Sequence, residues 1–174
     1  MADKRGTHDY VEDLRNAEVM VYINGKFYPR QDASISVFDS GFLLGDGVWE
    51  GIRLHNGKFL FLEQHLERLF WGASQIDMDI GKTIDEVTSI LYDTAKSNMM
   101  ESGVHVRLIV SRGVKSTPYQ DPSFTISEPT IVVIPEYKAP SPETQLNGIK
   151  LVSVDIIRGS TNIQDHRINS LSKF

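Results

Sequence analysis

The sequence has no cysteine among its 174 residues, which excludes disulfides and thiolate metal sites. It has no apolar run long enough to span a bilayer, and no signal-peptide pattern opens it. Lys and Arg (18) are outnumbered by Asp and Glu (23), so the net charge of −5 argues against a duplex nucleic-acid binder. These absences leave a soluble, cytoplasmic protein with neither a membrane nor a nucleic-acid partner as the expectation.

Familiar catalytic motifs are missing as well. The five histidines show no metal-ligand spacing, and neither a G-x-S-x-G elbow, a P-loop nor a dinucleotide-binding G-x-G-x-x-G is present. We therefore expect no metal. The glycine-rich stretch 41–47 could offer backbone N–H groups to an anion, although a plain turn is the commoner use of such a stretch.

What is present predicts a small α+β domain. The composition, 40% hydrophobic and 24% charged, is that of an ordinary globular chain. We expect a flexible leader over residues 1–18, an α+β domain over 19–137, a linker over 138–148 and the beginning of a second domain over 149–174.

Hairpin signals and helical periodicity alternate along the chain. Asn-Gly pairs at 24–25 and 56–57 predict two hairpins, and the stretch 39–47 between them is expected to be a loop. Apolar spacings of three and four predict a helix from Leu62 to Ile76, and the capping box Thr83–Glu86 begins a second one. The remaining predictions are a helical turn near Val11–Leu14 and strands at Val19–Ile23, Lys26–Tyr28, Val48–His55, Lys58–Leu62, Val104–Ser111, Thr130–Pro135 and Ile149–Ile156.

Three of these elements carry a second face that is unusual for a solvated surface. One side of the strand from Val48 carries Trp49, Gly51 and Arg53, whereas the other side is apolar except for Glu50. The strand from Val104 places His105 and Arg107 on one side. On the first helix, the off-stripe face carries Gln64, Arg68, Trp71 and Gln75.

Each of these faces also has an ordinary structural interpretation. A second packing layer with Arg53 in a structural ion pair would explain the face that carries Trp49. Simple solvation would explain Arg107, and Arg68 could pair with Glu63 or Glu67. Together they nevertheless favour a cleft with several arginines, whose planar donor forks suit an anionic ligand.

The residues around these faces fall in an ordered series of motifs. The segments are Tyr22–Phe27, Val37–Phe42, Gly45–Arg53, Asn56–Lys58, Leu62–Leu69, Val106–Gly113, Gly148–Lys150 and Asp155–Arg158. From residue 19 to 174 the series resembles the class IV aminotransferases, the fold-type IV pyridoxal-phosphate enzymes. Its Trp-Glu-Gly-Ile-Arg segment is most similar to the branched-chain branch.

The resemblance implies the N-terminal domain of the D-amino-acid/branched-chain aminotransferase-like fold, a hairpin-rich sheet with two helices, followed by the start of a second α/β domain. It implies pyridoxal 5′-phosphate as cofactor and transfer of an amino group, through a Schiff base, between a branched-chain or hydrophobic amino acid and a 2-oxo acid such as 2-oxoglutarate. A homodimer or larger homo-oligomer is implied, with the loop 112–127 closing a partner's site. By the same resemblance, the chain is expected to be the first half of such an enzyme.

The resemblance also assigns roles to individual residues. Arg68 matches the arginine that binds the cofactor phosphate, and Trp49 takes the aromatic position that lines the substrate pocket. Arg53 and Arg107 match arginines that recognise substrate carboxylates, and His105 stands where the branched-chain branch often has a tyrosine.

The position of the Schiff-base lysine departs from the family pattern. The ungapped register places Asn169 there, and Lys173 follows four residues later, one turn along the same face if a helix has begun. Lys173 is accordingly predicted as a displaced catalytic lysine. A solvated Lys173, or a chain that has lost its lysine and cannot transaminate, are the alternatives.

Other functions on the same scaffold stay open at this point. They are a D-amino-acid or amine transaminase, an aminodeoxychorismate-lyase-like enzyme, and a catalytically inactive binding domain.

Overall fold

A computed structural model describes residues 12–156, 159–160, 162 and 165–172. Its strands form one six-stranded sheet in the order β2-β1-β6-β5-β3-β4, and all neighbouring strands are antiparallel. The elements are β1 (Met20–Ile23), β2 (Lys26–Pro29), α1 (Ser40–Leu44), β3 (Gly47–His55), β4 (Lys58–Phe59), α2 (Leu62–Ser74), α3 (Ile84–Ser97), β5 (Val104–Ser111), β6 (Thr130–Tyr137) and α4 (Pro142–Asn147). Two 3-10 helices, Leu14–Glu18 and Pro122–Phe124, complete the set.

The two predicted hairpins are confirmed. Asn24 and Gly25 have φ values of 45° and 89°, and Asn56 and Gly57 have 48° and 72°. Both central residues of each turn lie in the left-handed region, where the backbone twist matches that of the flanking strands. Asparagine and glycine tolerate this region better than other residues, so the two dipeptides fix the hairpin registers.

One face of the sheet and the helices α2 and α3 enclose the hydrophobic core. Leu66 and Leu69 of α2 and Val87 and Leu91 of α3 are almost fully buried. The capping box predicted at Thr83 is present, because its side chain accepts from the Glu86 amide while the Glu86 carboxylate accepts from the Thr83 amide. The helices therefore start and face as their sequences predict.

Helices α2 and α3 both lie on that face, and strand register determines which described residues meet on the opposite one. Gly51 of β3 pairs with Arg107 of β5, which pairs with Ile134 of β6. The neighbouring row joins Arg53, His105 and Glu136. Side chains in one row lie on one face, so the register brings the polar residues of β3 and β5 together. We call this the open face.

Two expectations about local structure are wrong. The loop predicted at 39–47 contains α1, because the Asp39 carboxylate caps it by accepting from the Gly41 amide and Gly45 ends it at a φ of 67°. The strand predicted at Lys58–Leu62 ends at Phe59, since Phe61 turns the backbone at a φ of 53° and α2 begins at Leu62.

The strand predicted at Ile149–Ile156 is also wrong, since these residues form no strand and Leu151 and Ile156 are both 83% exposed. Extended segments need a hydrogen-bonded neighbour, and none of the described strands pairs with this one. The helical turn expected at Val11–Leu14 lies later, at Leu14–Glu18, and Val11 itself is outside the described residues. Within that turn, the buried Asn16 side chain exchanges two hydrogen bonds with the Tyr137 backbone.

The last described segment runs beside the start of β3. Ser170 forms a bridge with Val48, and the amide of Leu171 donates to the carbonyl of Gly47 at 2.9 Å. The amide of Trp49 donates to the carbonyl of Asn169 at 2.9 Å. This pairing places residues 169–171 against β3, more than 100 positions away in sequence.

No helix within the described part of the chain has the length and apolar character that crossing a membrane requires.

Replacing Gly47 by alanine should destabilise the fold by about 1–3 kcal/mol, because a Cβ there would collide with the Val110 carbonyl and lie 2.8 Å from Leu171 Cδ1. Gly72, inside α2, is the matched control. A Cβ there meets only ordinary contacts at 3.5 and 3.6 Å, so Gly72→Ala should stabilise by about 0.5–1 kcal/mol through helix propensity. Urea denaturation of both variants measures the two effects, and equal stabilities would contradict the packing described for Gly47.

Candidate active site

The site is organised around a buried carboxylate, Glu50. It lies on the core-facing side of β3 between Val48 and Ile52, and its side chain is fully buried. An unpaired carboxylate buried here would destabilise the fold strongly, whereas the apolar residue expected from the alternation along β3 would not. Glu50 must therefore be hydrogen-bonded, and its partners define the site.

Two side chains of α2 and one from the last described segment form hydrogen bonds with Glu50. Arg68 grips it with two parallel bonds of 2.6 Å, Nε to Oε1 and Nη2 to Oε2. His65 Nδ1 lies 2.7 Å from Oε2, and Asn169 Nδ2 donates to Oε1 at 3.2 Å. His65 and Arg68 are three residues apart on α2 and so share one helix face. Arg68 thus pairs with Glu50, and neither Glu63 nor Glu67 is its partner.

The charge state of Glu50 follows from these bonds. Burial by itself would raise the pKa of Glu50, but the hydrogen bonds from Arg68 and His65 and their charges outweigh it and lower the pKa below the ordinary 4.5. The same pairing raises the pKa of Arg68. Glu50 is consequently ionised at neutral pH, and Arg68 remains a fixed cation with 47% of its side chain exposed.

A cavity of about 500 Å³ is bounded by this network on one side and by residues of β3 and β5 from the open face on the other. We call it the anion cavity; it is lined by Trp49, Glu50, Gly51, Arg53, Arg68, His105, Arg107, Lys138, Ala139, Pro140 and Asn169. Four of these side chains are cationic, and Glu50 is the only carboxylate among them. Because Arg68 neutralises Glu50, the charges of Arg53, Arg107 and Lys138 give the cavity an excess of positive charge.

Two of the predicted residues are stacked on one another. The Arg107 guanidinium carbon lies 4.1 Å from the Trp49 ring centroid, a cation–π contact. Trp49 is held in turn by its indole N–H, which donates to the Ser170 carbonyl at 3.2 Å. Glycine at position 51 leaves room for the His105 ring, since a Cβ there would lie 2.8 Å from His105 Nε2.

The structure brings five predicted site residues around the anion cavity: Trp49, Arg53, Arg68, His105 and Arg107. Arg53 also donates to the backbone carbonyl of Lys138, which ties the end of β6 to the cavity wall. Trp71 shares the off-stripe face of α2 with Arg68 but does not line the cavity. Its ring centroid lies 5.0 Å from the guanidinium carbon of Arg167.

The sixth predicted residue, Lys173, lies outside the described residues. Asn169 occupies the position at which the family pattern has its lysine. It lies in the cavity wall, and its side-chain amide donates a hydrogen bond to Glu50. The described residues 169–172 are not helical. The helical turn that was expected to align Lys173 with Asn169 therefore does not begin among them.

The glycine-rich stretch 41–47 does not line the anion cavity. Its amides are used within the fold, since that of Gly41 donates to the Asp39 carboxylate and that of Gly45 to the Gly41 carbonyl. Its Asp46 forms a two-point ion pair with Arg112, at 2.7 and 3.1 Å. The stretch is structural, since it forms most of the short helix α1 and the turn from α1 into β3.

Sequence reasoning missed Glu50, His65 and Lys138 as site residues. Glu50 could have been identified from the sequence, because a single acidic residue on an otherwise apolar strand face needs a buried partner. The spacing of His65 and Arg68 on α2 supplied the matching donors. Lys138 left no such signal, since its place in the cavity depends on how the chain leaves β6.

Comparison with known proteins adds an independent observation. The family model described as amino-transferase class IV matches residues 47–173. A branched-chain-amino-acid aminotransferase-like protein of Arabidopsis thaliana is 36% identical over 154 residues, which is 88% of this chain and 28% of that protein. A putative branched-chain-amino-acid aminotransferase of Methanocaldococcus jannaschii is 34% identical, over 87% of this chain and 51% of that protein.

Other relatives belong to a different branch, and a solved structure shares the fold. A D-alanine aminotransferase of Staphylococcus haemolyticus is 30% identical over 79% of this chain and 48% of that protein. The branched-chain aminotransferase of Thermoproteus uzoniensis, solved with norvaline, superposes with a TM-score of 0.72 at 20% identity, over 88% of this chain and 51% of that one. The chain thus spans about half the length of these relatives or less.

Replacing Glu50 by glutamine should lower the free energy of unfolding by about 2–4 kcal/mol near neutral pH, because the buried partner of Arg68 loses its charge. A lowered folded-state pKa stabilises the fold above the ordinary carboxylate pKa, and this stabilisation is lost as the pH falls through the folded value. The gap between wild type and Glu50→Gln should therefore be constant near neutral pH and shrink once the pH falls below the ordinary carboxylate value of 4.5.

Urea denaturation at several pH values measures this gap. Glu67→Gln, on the exposed side of the same helix, is the control and should shift stability by less than about 0.5 kcal/mol. A gap for Glu50→Gln that stays constant down to acid pH would contradict the ionised, paired Glu50.

Proposed function

Because this chain belongs to the class IV aminotransferases, we propose that it binds pyridoxal 5′-phosphate and takes part in moving an amino group between a branched-chain or hydrophobic amino acid and a 2-oxo acid such as 2-oxoglutarate. The observation that carries the proposal is the anion cavity, where Arg68 on one side and Arg53, Arg107 and Lys138 on the other surround a space with a single, already paired carboxylate. Two separated anionic groups, a phosphate and a substrate carboxylate, fit this arrangement.

Arg68 is suited to the phosphate. A guanidinium carries five N–H donors, and the bonds to Glu50 use only Nε and Nη2. Nη1 makes no hydrogen bond within the described residues and remains available to an anion in the cavity. The pairing with Glu50 fixes the guanidinium plane, so little side-chain entropy is lost when an anion binds.

Arg107 and Arg53 are suited to a substrate carboxylate. Arg107 lies over the Trp49 ring, and Arg53 donates to the Lys138 backbone, so both guanidinium groups are oriented before a ligand arrives. Trp49 presents an apolar surface beside them. A carboxylate held here would place the rest of an amino or 2-oxo acid along the floor of the cavity.

The cofactor, when bound, supplies the electron withdrawal that amino transfer needs. We propose that Lys173 holds it covalently and moves the proton at the substrate α-carbon, since an amine serves as nucleophile and as base. Asn169 can do neither, because a carboxamide has no basic nitrogen. Its contribution is to orient Glu50.

A second candidate function rests on the same asparagine. If no lysine reaches the cavity, the chain is a binding domain that retains the cationic site without transamination. The presence of Asn169 in the cavity wall is the observation that favours it.

Assembly and location complete the proposal. A cytoplasmic homodimer is proposed, with the loop 112–127 of one subunit approaching the cavity of the other, as the resemblance implies. Since the chain spans about half the length of its relatives or less, the activity is proposed for the whole protein to which this segment corresponds.

Replacing Lys173 by alanine should abolish the visible absorption that a lysine-linked cofactor gives when pyridoxal 5′-phosphate is added. Borohydride reduction followed by peptide mass spectrometry locates the linked residue. Lys150→Ala, at an exposed lysine, is the control and should behave like wild type. Absorption that survives in Lys173→Ala would overturn the lysine assignment, and its absence from wild type would favour the binding domain.

Arg68→Lys should weaken the binding of pyridoxal 5′-phosphate about tenfold or more, because lysine cannot reproduce the oriented donors. The binding of pyridoxal, which has no phosphate, should hardly change. Absorbance titrations with the two compounds separate loss of the phosphate contact from general damage. Arg15→Lys, in an exposed ion pair, is the control. An equal loss for both compounds would contradict a phosphate role for Arg68.

A further inference from the structure

The side chain of Asn16 is buried against the edge of the sheet, although Asn16 belongs to the short 3-10 helix Leu14–Glu18. Asn16 is 8% exposed, whereas Leu14 in the same helix is 81% exposed. Its carboxamide exchanges two hydrogen bonds with one residue of β6. The Tyr137 amide donates to Oδ1 at 2.7 Å, and Nδ2 donates to the Tyr137 carbonyl at 3.0 Å. A carboxamide carries the same donor and acceptor as a peptide group, so Asn16 pairs with β6 as a residue of a neighbouring strand would.

This part of β6 lies beyond its pairing with β1. The described pairing of the two strands is at Val132 and Val133, four or more residues before Tyr137. Without Asn16, the amide and carbonyl of Tyr137 would lack these two partners. The guanidinium carbon of Arg15 also lies 3.9 Å from the Tyr137 ring centroid. The 3-10 helix therefore holds Tyr137 both by its backbone and by its ring.

The peptide group between Tyr137 and Lys138 is thereby bonded at both ends. Its carbonyl accepts from Asn16, and its N–H donates to the Gly103 carbonyl at 2.9 Å. Because a peptide group is planar, these two bonds fix the direction in which the chain leaves β6. The next carbonyl, that of Lys138, accepts a hydrogen bond from the Arg53 guanidinium in the wall of the anion cavity. Asn16 does not itself line that cavity.

We propose that Asn16 is a positioning residue of the anion cavity, which orients Arg53 for a carboxylate by fixing the peptide group before the Lys138 carbonyl. This inference rests on the role of Arg53 in the proposed function. Without Asn16 that carbonyl is free to turn, and Arg53 must then lose more side-chain entropy when a carboxylate binds. Arg68 is held independently by its ion pair, so the binding of a phosphate should not depend on Asn16.

Asn98 makes the same pair of bonds elsewhere on the sheet and is a matched control. The Met20 amide donates to Asn98 Oδ1 at 2.7 Å, and Asn98 Nδ2 donates to the Met20 carbonyl at 3.0 Å. Asn98 follows the last residue of α3 and does not line the anion cavity. Replacing either asparagine by alanine removes an equivalent pair of bonds, but only Asn16 is connected to Arg53.

Isothermal titration calorimetry on the full 174-residue chain tests the proposal, with 2-oxoglutarate as the carboxylate probe and pyridoxal 5′-phosphate as the phosphate probe. Asn16→Ala should weaken the binding of 2-oxoglutarate about three- to tenfold and change that of pyridoxal 5′-phosphate less than about twofold. Asn98→Ala should change neither. In an Arg53→Gln background, Asn16→Ala should have no further effect on 2-oxoglutarate, because the two residues act through one contact. Asn16→Gln, whose carboxamide is displaced by one methylene, takes the place of Asn16→Ala if the alanine variant does not fold.

An unchanged affinity for 2-oxoglutarate in the Asn16 variant overturns the proposal, as does a loss that Asn98→Ala reproduces or that persists undiminished beside Arg53→Gln. A wild type that does not bind 2-oxoglutarate overturns it as well. If wild type binds pyridoxal 5′-phosphate in these cases, the proposed function stands without the role of Asn16. Binding of 2-oxoglutarate that depends on Asn16 through Arg53, in a chain that fails to bind pyridoxal 5′-phosphate, supports this inference and removes the proposed function.

Discussion

The burial of one negative charge, Glu50, is the constraint on which the site depends. A fully buried carboxylate on an apolar strand face is tolerated only because Arg68, His65 and Asn169 converge on it. That requirement fixes the rotation of α2 against β3 and draws the last described segment towards the sheet. The exposed part of Arg68 then becomes a rigid cation at the edge of a cavity, which is what an anion-binding site needs.

The rest of the cavity follows from antiparallel register. Pairing of Gly51 with Arg107 and of Arg53 with His105 places side chains from two strands in adjacent rows of one face. Helices α2 and α3 cover the other face, and residues of these rows line the anion cavity. A single sheet therefore has a core on one side and a cationic surface on the other.

Much of this fold is predictable from the sequence because it depends on local chemistry. The Asn-Gly turns and the capping box at Thr83 act within a few residues, and the alternation of side chains along β3 and β5 is enough to place Trp49, Arg53, His105 and Arg107 on a shared polar face. The partner of Arg68 was missed because it depends on how a helix docks on a strand. The strand expected at Ile149–Ile156 failed for a similar reason, since propensity cannot supply a neighbouring strand.

The pairing of residues 169–171 with β3 also bears on how the cavity forms. The hydrogen bond from Asn169 to Glu50 joins residues that are 119 positions apart in sequence. The hydrogen bonds within the hairpins and helices join residues only a few positions apart. Long-range contacts are costly in chain entropy, and this wall shares that cost with the pairing of β1 with β6. It is also held by few hydrogen bonds, and it should open more often than the core beneath it. Amide exchange at Trp49 and Leu171 would then be governed by local opening of this wall rather than by global unfolding.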